Sequence, residues 1–364
     1  MANKEAHIFA EVLEPEALAQ FETAMEQPFI VAGALMPDAH AGYTLPIGAV
    51  VACDNMVCPS YVGYDIGCGM CAVPTSFRKE DVMADAENIF TRIHHVVPVG
   101  FNHNQKDSVW DYSGLPHTAE LNAIFFKNGL KQLASLGGGN HFIEIGYDET
   151  NTVWIIVHSG SRGIGHAVAT HYMKLAAGDG KAREGHFGFS TSSTDGKNYV
   201  DDLAFCLAFA LENRLQIIKR VVSQIASYGH ADWGRLINRN HNHAELKDGM
   251  WIHRKGATHA EAGMAGVIPG NMRDGSFIVE GKGNPAALWS SSHGAGRVLG
   301  RKAATRALSI QDFTETMQGV VAKVDAETLD ESPFAYKDIF EVMRQQSEMV
   351  TIKHHVRPII NIKG

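Results

Sequence analysis

The chain has 364 residues, 45% of them hydrophobic and 20% charged, with a formal net charge of −8. That length suits one large domain with a substantial core, or two or three average ones. The acidic balance excludes a surface that attracts nucleic acid everywhere, so a polyanion would need a local basic cluster.

The opening, "MANKEAHIFAEV", has no leader-like pattern, and the chain reads as cytoplasmic. Residues 14–26 have helical spacing, with Leu18, Phe21 and Met25 on one face. "FIVAGAL" and "IGAVVACD" are strand-like, and "LMPDAHAGYTLP" between them is turn-rich. A further strand follows "VGYDIGCGMC", and "TVWIIV" runs straight into the glycine turn "HSGSRGIGH". Residues 184–198 are small and polar and predict a surface loop. Asp201 then opens the strongest helix, 201–228, read as core with Cys206 among its packing residues. Within it the apolar stretch 203–225 carries Glu212, Arg214, Lys219 and Arg220, which excludes a membrane span. Short strands and glycine turns follow, then helices, then "RPIINIKG". Helices and strands without regular βαβ alternation predict an α+β fold. Motif-bearing turns spread from residue 38 to 297 predict one domain over residues 1–364.

Asp65 and Cys68 stand three residues apart among glycines, a pairing that suits a divalent metal of intermediate softness. Four other stretches carry histidines beside Gly, Asn or Ser: "GGGNHFIE" (Asn140, His141, Glu144), "VHSGSRGIGH" (His158, Arg162), "NRNHNHAE" (His241, His243) and "SSHGAGR" (His293, Arg297). Taken singly, each reads as a hydrogen-bonded structural or surface histidine; brought together with Asp65 and Cys68, they complete one or two metal sites. Cys68 and Cys71 form a C-x-x-C, but no second pair follows for a zinc ribbon and no helix starts at the first thiol. The turns "GSRGIG" and "HGAGR" match no dinucleotide or Walker pattern, yet each holds an arginine suited to phosphate. Arg301, Lys302 and Arg306 extend the second turn along a helix, as a solvated basic face or a local phosphate grip, and "WIHRKGATHAEAG" offers a basic hairpin with His253, Arg254, Lys255 and His259, read as surface or as the next candidate for an RNA-phosphate contact.

"MPDAHAGYTLPIGAV", "VGYDIGCGM", "LGGGNHFIEI", "VHSGSRGIG", "HRKGAT", "IPGNM", "SSHGAGRVLGRKAATR", "AYKD" and the terminal "KG" resemble, in order and over nearly the whole chain, the RtcB family of RNA ligases. The resemblance implies a GTP- and manganese-dependent enzyme that joins an RNA 3′-phosphate or 2′,3′-cyclic phosphate to a 5′-hydroxyl. His293 is implied as the nucleophile that takes GMP. Asp65, Cys68, His141, His158 and His241 are implied as ligands of two Mn²⁺ ions, the Cys68 thiolate bridging both. Asn140, Glu144, Asn271, Gly294, Ala295, Gly296, Tyr336 and Lys363 are implied as GTP contacts, with Tyr336 stacked on guanine. Arg162 and Arg297 are implied to grip RNA-end or GTP phosphates, and Asp38 to act as general base or as support for a metal ligand.

The chain departs from the family in three places. It is shorter than many members, which implies trimmed outer RNA-binding elements. Asn271 stands where serine is commoner. Cys71 adds a thiol that oxidation would pair with Cys68, ejecting metal. The partners implied are broken RNA ends and GTP, with an activating protein left open and no membrane. Two other classes remain: a metal-dependent phosphatase or cyclic phosphodiesterase, and a non-enzymatic RNA-end binder.

Overall fold

In the computed structural model, which describes residues 4–364, "IGAVVACD" forms the strand Ile47–Asp54. Its side chains alternate between two cores. Val50 and Ala52 pack with Ala34, Ile252 and Ile339, whereas Ala49, Val51 and Cys53 pack with Phe21 and Ala24 of the helix Pro15–Met25. A strand covered on both faces reads as an unbroken apolar run, as this one does. Its sheet is ordered Glu5–Ile8, Ile30–His40, Ile47–Asp54, Met250–Lys255, Asn242–Lys247.

A larger sheet is ordered Ala265–Pro269, Ser276–Gly281, Val350–Lys363, Phe142–Tyr147, Val153–Ser159, Gly69–Pro74, Ile237–Asn240, antiparallel throughout. Cys71, Val73, Ile143, Ile145, Ile155 and Val157 face the helices Ala86–Val96 and Thr194–Gln224. Met70, Ala72, Trp154 and Ile156 face the other way, onto Val267 and Ile278, so the sheet curls over its own first strands. Mostly antiparallel sheets with interspersed helices make this an α+β fold, as the sequence predicts.

Three local expectations are corrected. The strand Ile30–His40 runs through "LMPDAH", where a turn is predicted. The register against Ile47–Asp54 breaks between Leu35 and His40, so Pro37 interrupts no ladder, and the bulge carries Asp38 into the interior at 0% exposure. The long helix begins at Thr194 and ends at Gln224, not 201–228. Ser193 caps it by accepting from the Gly196 N–H, and Gly196 is required because a Cβ there would meet Ser190 O at 2.0 Å. A glycine that reads as loop is a packing contact. The basic hairpin is no surface: Arg254 is fully buried and paired with Glu245 and Glu261, and Lys255 with Glu184. Carboxylates from neighbouring strands neutralise what composition alone shows as basic.

Candidate metal and nucleotide site

The larger sheet assembles the histidine cluster at one edge. Its register pairs Phe142 with His158, Gly69 with Ser159 and Gly69 with Asn240. The residues at these strand ends, His141, His158, Cys68 and His241, therefore come to one place from four stretches distant in sequence. Gly69 is what allows the approach: a Cβ on it would lie 2.1 Å from Arg239 O. The His241 N–H donates to Cys68 O at 2.7 Å, which fixes the two turns together.

Cys68 Sγ lies 3.1 Å from His158 Nε2 and 3.4 Å from His141 Nε2. His158 Nε2 lies 3.2 Å from His241 Nε2, and His141 Nε2 lies 3.0 Å from Asp65 Oδ2. The tautomers follow from the other ring nitrogens. His141 Nδ1 faces Leu136 O at 3.0 Å and His158 Nδ1 faces Asn140 O at 3.1 Å, and a carbonyl can only accept. Both Nδ1 atoms thus carry the proton, and both Nε2 lone pairs point into the cluster. One thiol proton cannot satisfy several nitrogens and a carboxylate, so this donor set fits a cation.

The protonation states agree. Burial, then the charges of neighbouring histidines, hold His158 and His241 well below the usual imidazole range, so both are neutral. Burial opposes ionisation of Asp65, and the nearby Arg162 guanidinium favours it. Burial and Asp65 push the Cys68 thiol up, and a bound cation supplies the charge that reverses this. Sulfur, imidazole and carboxylate together suit a metal of intermediate softness.

Sequence reading assigned the long helix no function, yet its Arg214 braces the cluster. Fully buried, it donates to Gly67 O at 2.7 Å, Ser159 O at 2.9 Å and Asn240 Oδ1 at 2.6 Å. Each acceptor adjoins a cluster residue. Asn213 beside it donates to Ser159 Oγ and Gly160 O. The available signal was a charge inside an otherwise apolar helical stretch.

His243 points elsewhere. Its Nε2 accepts from Arg254 at 3.0 Å and its ring stacks on His259, so of the two histidines His241 joins the cluster. Cys71 faces the helix-covered core, on the opposite side of its strand from Met70, and burial pushes its thiol up to about 12. The Cys68 thiol is directed at imidazoles, so the two thiols are not set to pair.

His293 leads from the cluster to a second feature. Its ring centroid is 4.8 Å from that of His241, and its Nδ1 is 2.8 Å from Asp38 Oδ2, off the line of a hydrogen bond. Asp38 Oδ2 also accepts from the Gly294 N–H at 3.3 Å. Gly296, at φ +74°, packs so closely on this acid's backbone that a Cβ would meet Asp38 O at 2.2 Å. A cavity of about 230 Å³ opens here, walled by Asn140, Glu144, Gly294, Ala295, Tyr336 and Lys363 among others.

Inside it, Glu144 Oε1 and Asn361 Oδ1 are buried without partners, and burial pushes the Glu144 carboxyl up to about 8. Orphaned polar atoms in a cavity wall are what a polar ligand would satisfy. Lys363 donates to Glu331 at 2.9 Å, and the Tyr336 hydroxyl donates to the same carboxylate. Asn271 lines the cavity, but its side chain is engaged in a local turn, accepting from the Arg273 and Asp274 N–H groups and donating to Asp274.

The two arginines differ. Arg297 is held by Glu331, Tyr336, Asp330 O and Leu299 O. Arg162, at φ +61° where its helix starts, keeps a buried Nε without a partner and lies beside Asp65 and His141. Arg301, which the sequence places on a helix after the second glycine turn, lines this cavity and two neighbouring grooves.

Among the described residues no helix is long and apolar enough to cross a membrane. The family model described as tRNA-splicing ligase RtcB matches residues 20–122 and 112–364. The RNA-splicing ligase RtcB of Escherichia coli K12 is 34% identical over 97% of this chain and 95% of its own length. The RNA-splicing ligase RtcB homolog 1 of Entamoeba dispar is 28% identical over 96% of the chain and 82% of its own length. For the tRNA-splicing ligase RtcB of Pyrobaculum aerophilum the figures are 29%, 91% and 87%. With a family match across nearly all its length and a curated relative at this identity, the chain belongs to the RtcB family.

Proposed function

We propose that this protein is a GTP-dependent RNA ligase that joins 3′-phosphate or 2′,3′-cyclic phosphate ends to 5′-hydroxyl ends in RNA repair or splicing. The observation that carries the reading is the position of His293. It lines both the small cavity with the orphaned Glu144 and the adjoining groove that holds Asp65, Cys68 and His241. A nucleophile between a nucleotide-sized pocket and a metal-suited cluster is what nucleotidyl transfer needs.

In this reading Glu144 accepts from the N1–H and amino group of guanine, which adenine cannot offer in that pattern, and Tyr336 lies along the ring. The backbone of Gly294, Ala295 and Gly296 lies along the phosphates. Asp38 holds the proton on His293 Nδ1, leaving Nε2 to attack the α-phosphorus. An Nε2–P bond forms, the bond to the β-phosphate oxygen breaks, and pyrophosphate leaves. An oxygen of the RNA 3′-phosphate then displaces His293, and the 5′-hydroxyl displaces GMP. Two divalent cations, manganese by family resemblance, held by Asp65, Cys68, His141, His158 and His241, would supply positive charge against the phosphates. Residues 1–364 act as one unit here, since His40 and Lys363 wall the same cavity.

Incubating the protein with Mn²⁺ and GTP labelled at the α-phosphate tests the reading. Label should stay on the denatured chain, be lost in acid as a phosphoramidate is, and be absent from His293→Ala. Phosphate release from RNA ends without GTP would favour a hydrolase. RNA binding indifferent to Asp65 and Cys68, with no label, would favour an end binder.

A further inference from the structure

The strand Val350–Lys363 runs antiparallel to Phe142–Tyr147, with Asn361 opposite Glu144 and Lys363 opposite Phe142. Alternate residues of a strand share a face, so these four side chains form one surface, and it is the floor of the cavity of about 230 Å³. Ile143, Ile360 and Ile362 fall on the other face, in the helix-covered core. Residues directly opposite each other stand about 5 Å apart at Cβ, so Asn361 reaches the same edge of a ligand that meets Glu144. Asn361 is 2% exposed and has no part in the chemistry above.

The polar atoms of this floor divide by what they lack. Lys363 Nζ is engaged with Glu331. Burial raises the Glu144 carboxyl, and the Asn361 amide is among the donors that pull against it, so the amide nitrogen serves its neighbour. Among the described residues, the floor atoms left buried without a partner are Glu144 Oε1 and Asn361 Oδ1, both acceptors, on side chains that stand side by side. A buried acceptor without a donor is costly, so a ligand that fits here must bring adjacent donors. Among the nucleobases only guanine carries them on its pairing edge, as a ring N–H beside the 2-amino group. Adenine and cytosine set one amino group beside acceptors, and uracil sets one N–H between two. Guanine offers three hydrogens on this edge, and the two oxygens of the Glu144 carboxylate take two.

We infer that Asn361 is a specificity residue for the nucleotide: its Oδ1 accepts the amino hydrogen that Glu144 leaves free, so two residues read the 2-amino group of guanine. This deepens the ligase reading and rests on it for the choice of a guanine nucleotide. Hypoxanthine, which keeps the ring N–H and lacks the amino group, would leave Asn361 Oδ1 buried and unpaired.

The test titrates GMP, IMP and AMP calorimetrically into the wild type, Asn361→Leu and Asn361→Asp, without metal, so that no bond to His293 forms. GMP and IMP differ only in the 2-amino group. Asn361→Leu keeps the bulk of the side chain and removes the acceptor. It should weaken GMP by about three- to ten-fold, leave IMP unchanged and lower the preference for GMP over IMP by the same factor. Asn361→Asp keeps an oxygen in place and should keep the preference. Unchanged IMP binding also shows that the Leu variant is folded. A further probe needs no variant: GMP methylated on its 2-amino group has one amino hydrogen left and should bind the wild type more weakly than GMP by a similar factor. A preference that survives Asn361→Leu in full, GMP and IMP weakened alike, or a methylated GMP that binds the wild type as tightly as GMP overturns the inference while the ligase reading stands. A wild type that binds GMP no better than AMP overturns the ligase reading, and this inference with it.

Discussion

Replacing Glu144 with Gln separates the pocket's stability from its selectivity. In the folded chain burial pushes this carboxyl up to about 8, against opposing pulls from Ser276, Lys363 and Asn361, while its ordinary value is 4.5. Between these values the unfolded chain has released a proton that the folded chain retains. Stability from this group is therefore complete below about pH 4.5, falls as pH rises, and levels off above about 8. At about 1.4 kcal/mol per unit the span amounts to roughly 5 kcal/mol, an order-of-magnitude figure for a fully buried acid. Gln keeps the shape, removes the ionisation and brings an amide donor toward the partnerless Asn361 Oδ1. Urea unfolding of both proteins at pH 5, 6.5, 8 and 9 should show a difference near zero in acid that grows to several kcal/mol in favour of Glu144→Gln. Guanine binding should work against the same proton, so wild-type affinity for GTP rises between pH 6 and 8, and the variant loses both that rise and its preference over ATP. A stability difference that stays flat with pH, or a variant whose GTP affinity keeps the wild-type slope, would refute the assignment of a protonated Glu144.

Removing the central thiol with Cys68→Ala should abolish the rise in melting temperature that Mn²⁺ gives the wild type, read by thermal shift beside equilibrium dialysis. The apo variant should melt close to the apo wild type, because one thiol proton cannot satisfy the imidazole nitrogens and the Asp65 carboxylate around it. Arg214→Gln should lower metal affinity about ten- to 100-fold, since three of the turns that carry the cluster lose a shared donor. If that variant instead binds metal normally while melting far lower, Arg214 serves the core and not the site.

The donor residues were legible because each sits beside residues that keep it reachable, such as Gly67 and Gly69 around Cys68, and because the family's motifs recur in order. What the sequence could not show was register. Nothing local to "VWIIVHS" says that His158 pairs opposite Phe142, or that Gly69 lies between Ser159 and Asn240; pairing across the sheet decides both. The same limit explains the errors. "LMPDAH" has turn composition and extended structure because its partner strand leaves a bulge there. Arg254 looked like surface charge because Glu245 and Glu261 reach it only across strand pairs and turns. Arg214 was hidden by its surroundings: a long apolar helix reads as core, and only folding shows that its one buried guanidinium faces the ends of three strands.

Placing ligands at the ends of antiparallel strands has a consequence for the chemistry. Strand ends move little relative to one another, because each pair is held by a backbone ladder and Arg214 ties the turns beyond them. His293 arrives differently, after the short strand Ser290–Ser292, which forms a two-stranded sheet with Ala257–His259, and its loop is fixed by Asp38 from the bulged segment. The cluster is thus the rigid part of the site, and His293 hangs from a lighter support beside it. On the proposed reading, a histidine that accepts GMP, carries it and releases it to an RNA end needs room to turn, whereas the groups that neutralise phosphate charge must not shift between steps. The close but misaligned Nδ1–Asp38 contact fits that division: a small rotation of the ring completes it, and the cluster need not move at all.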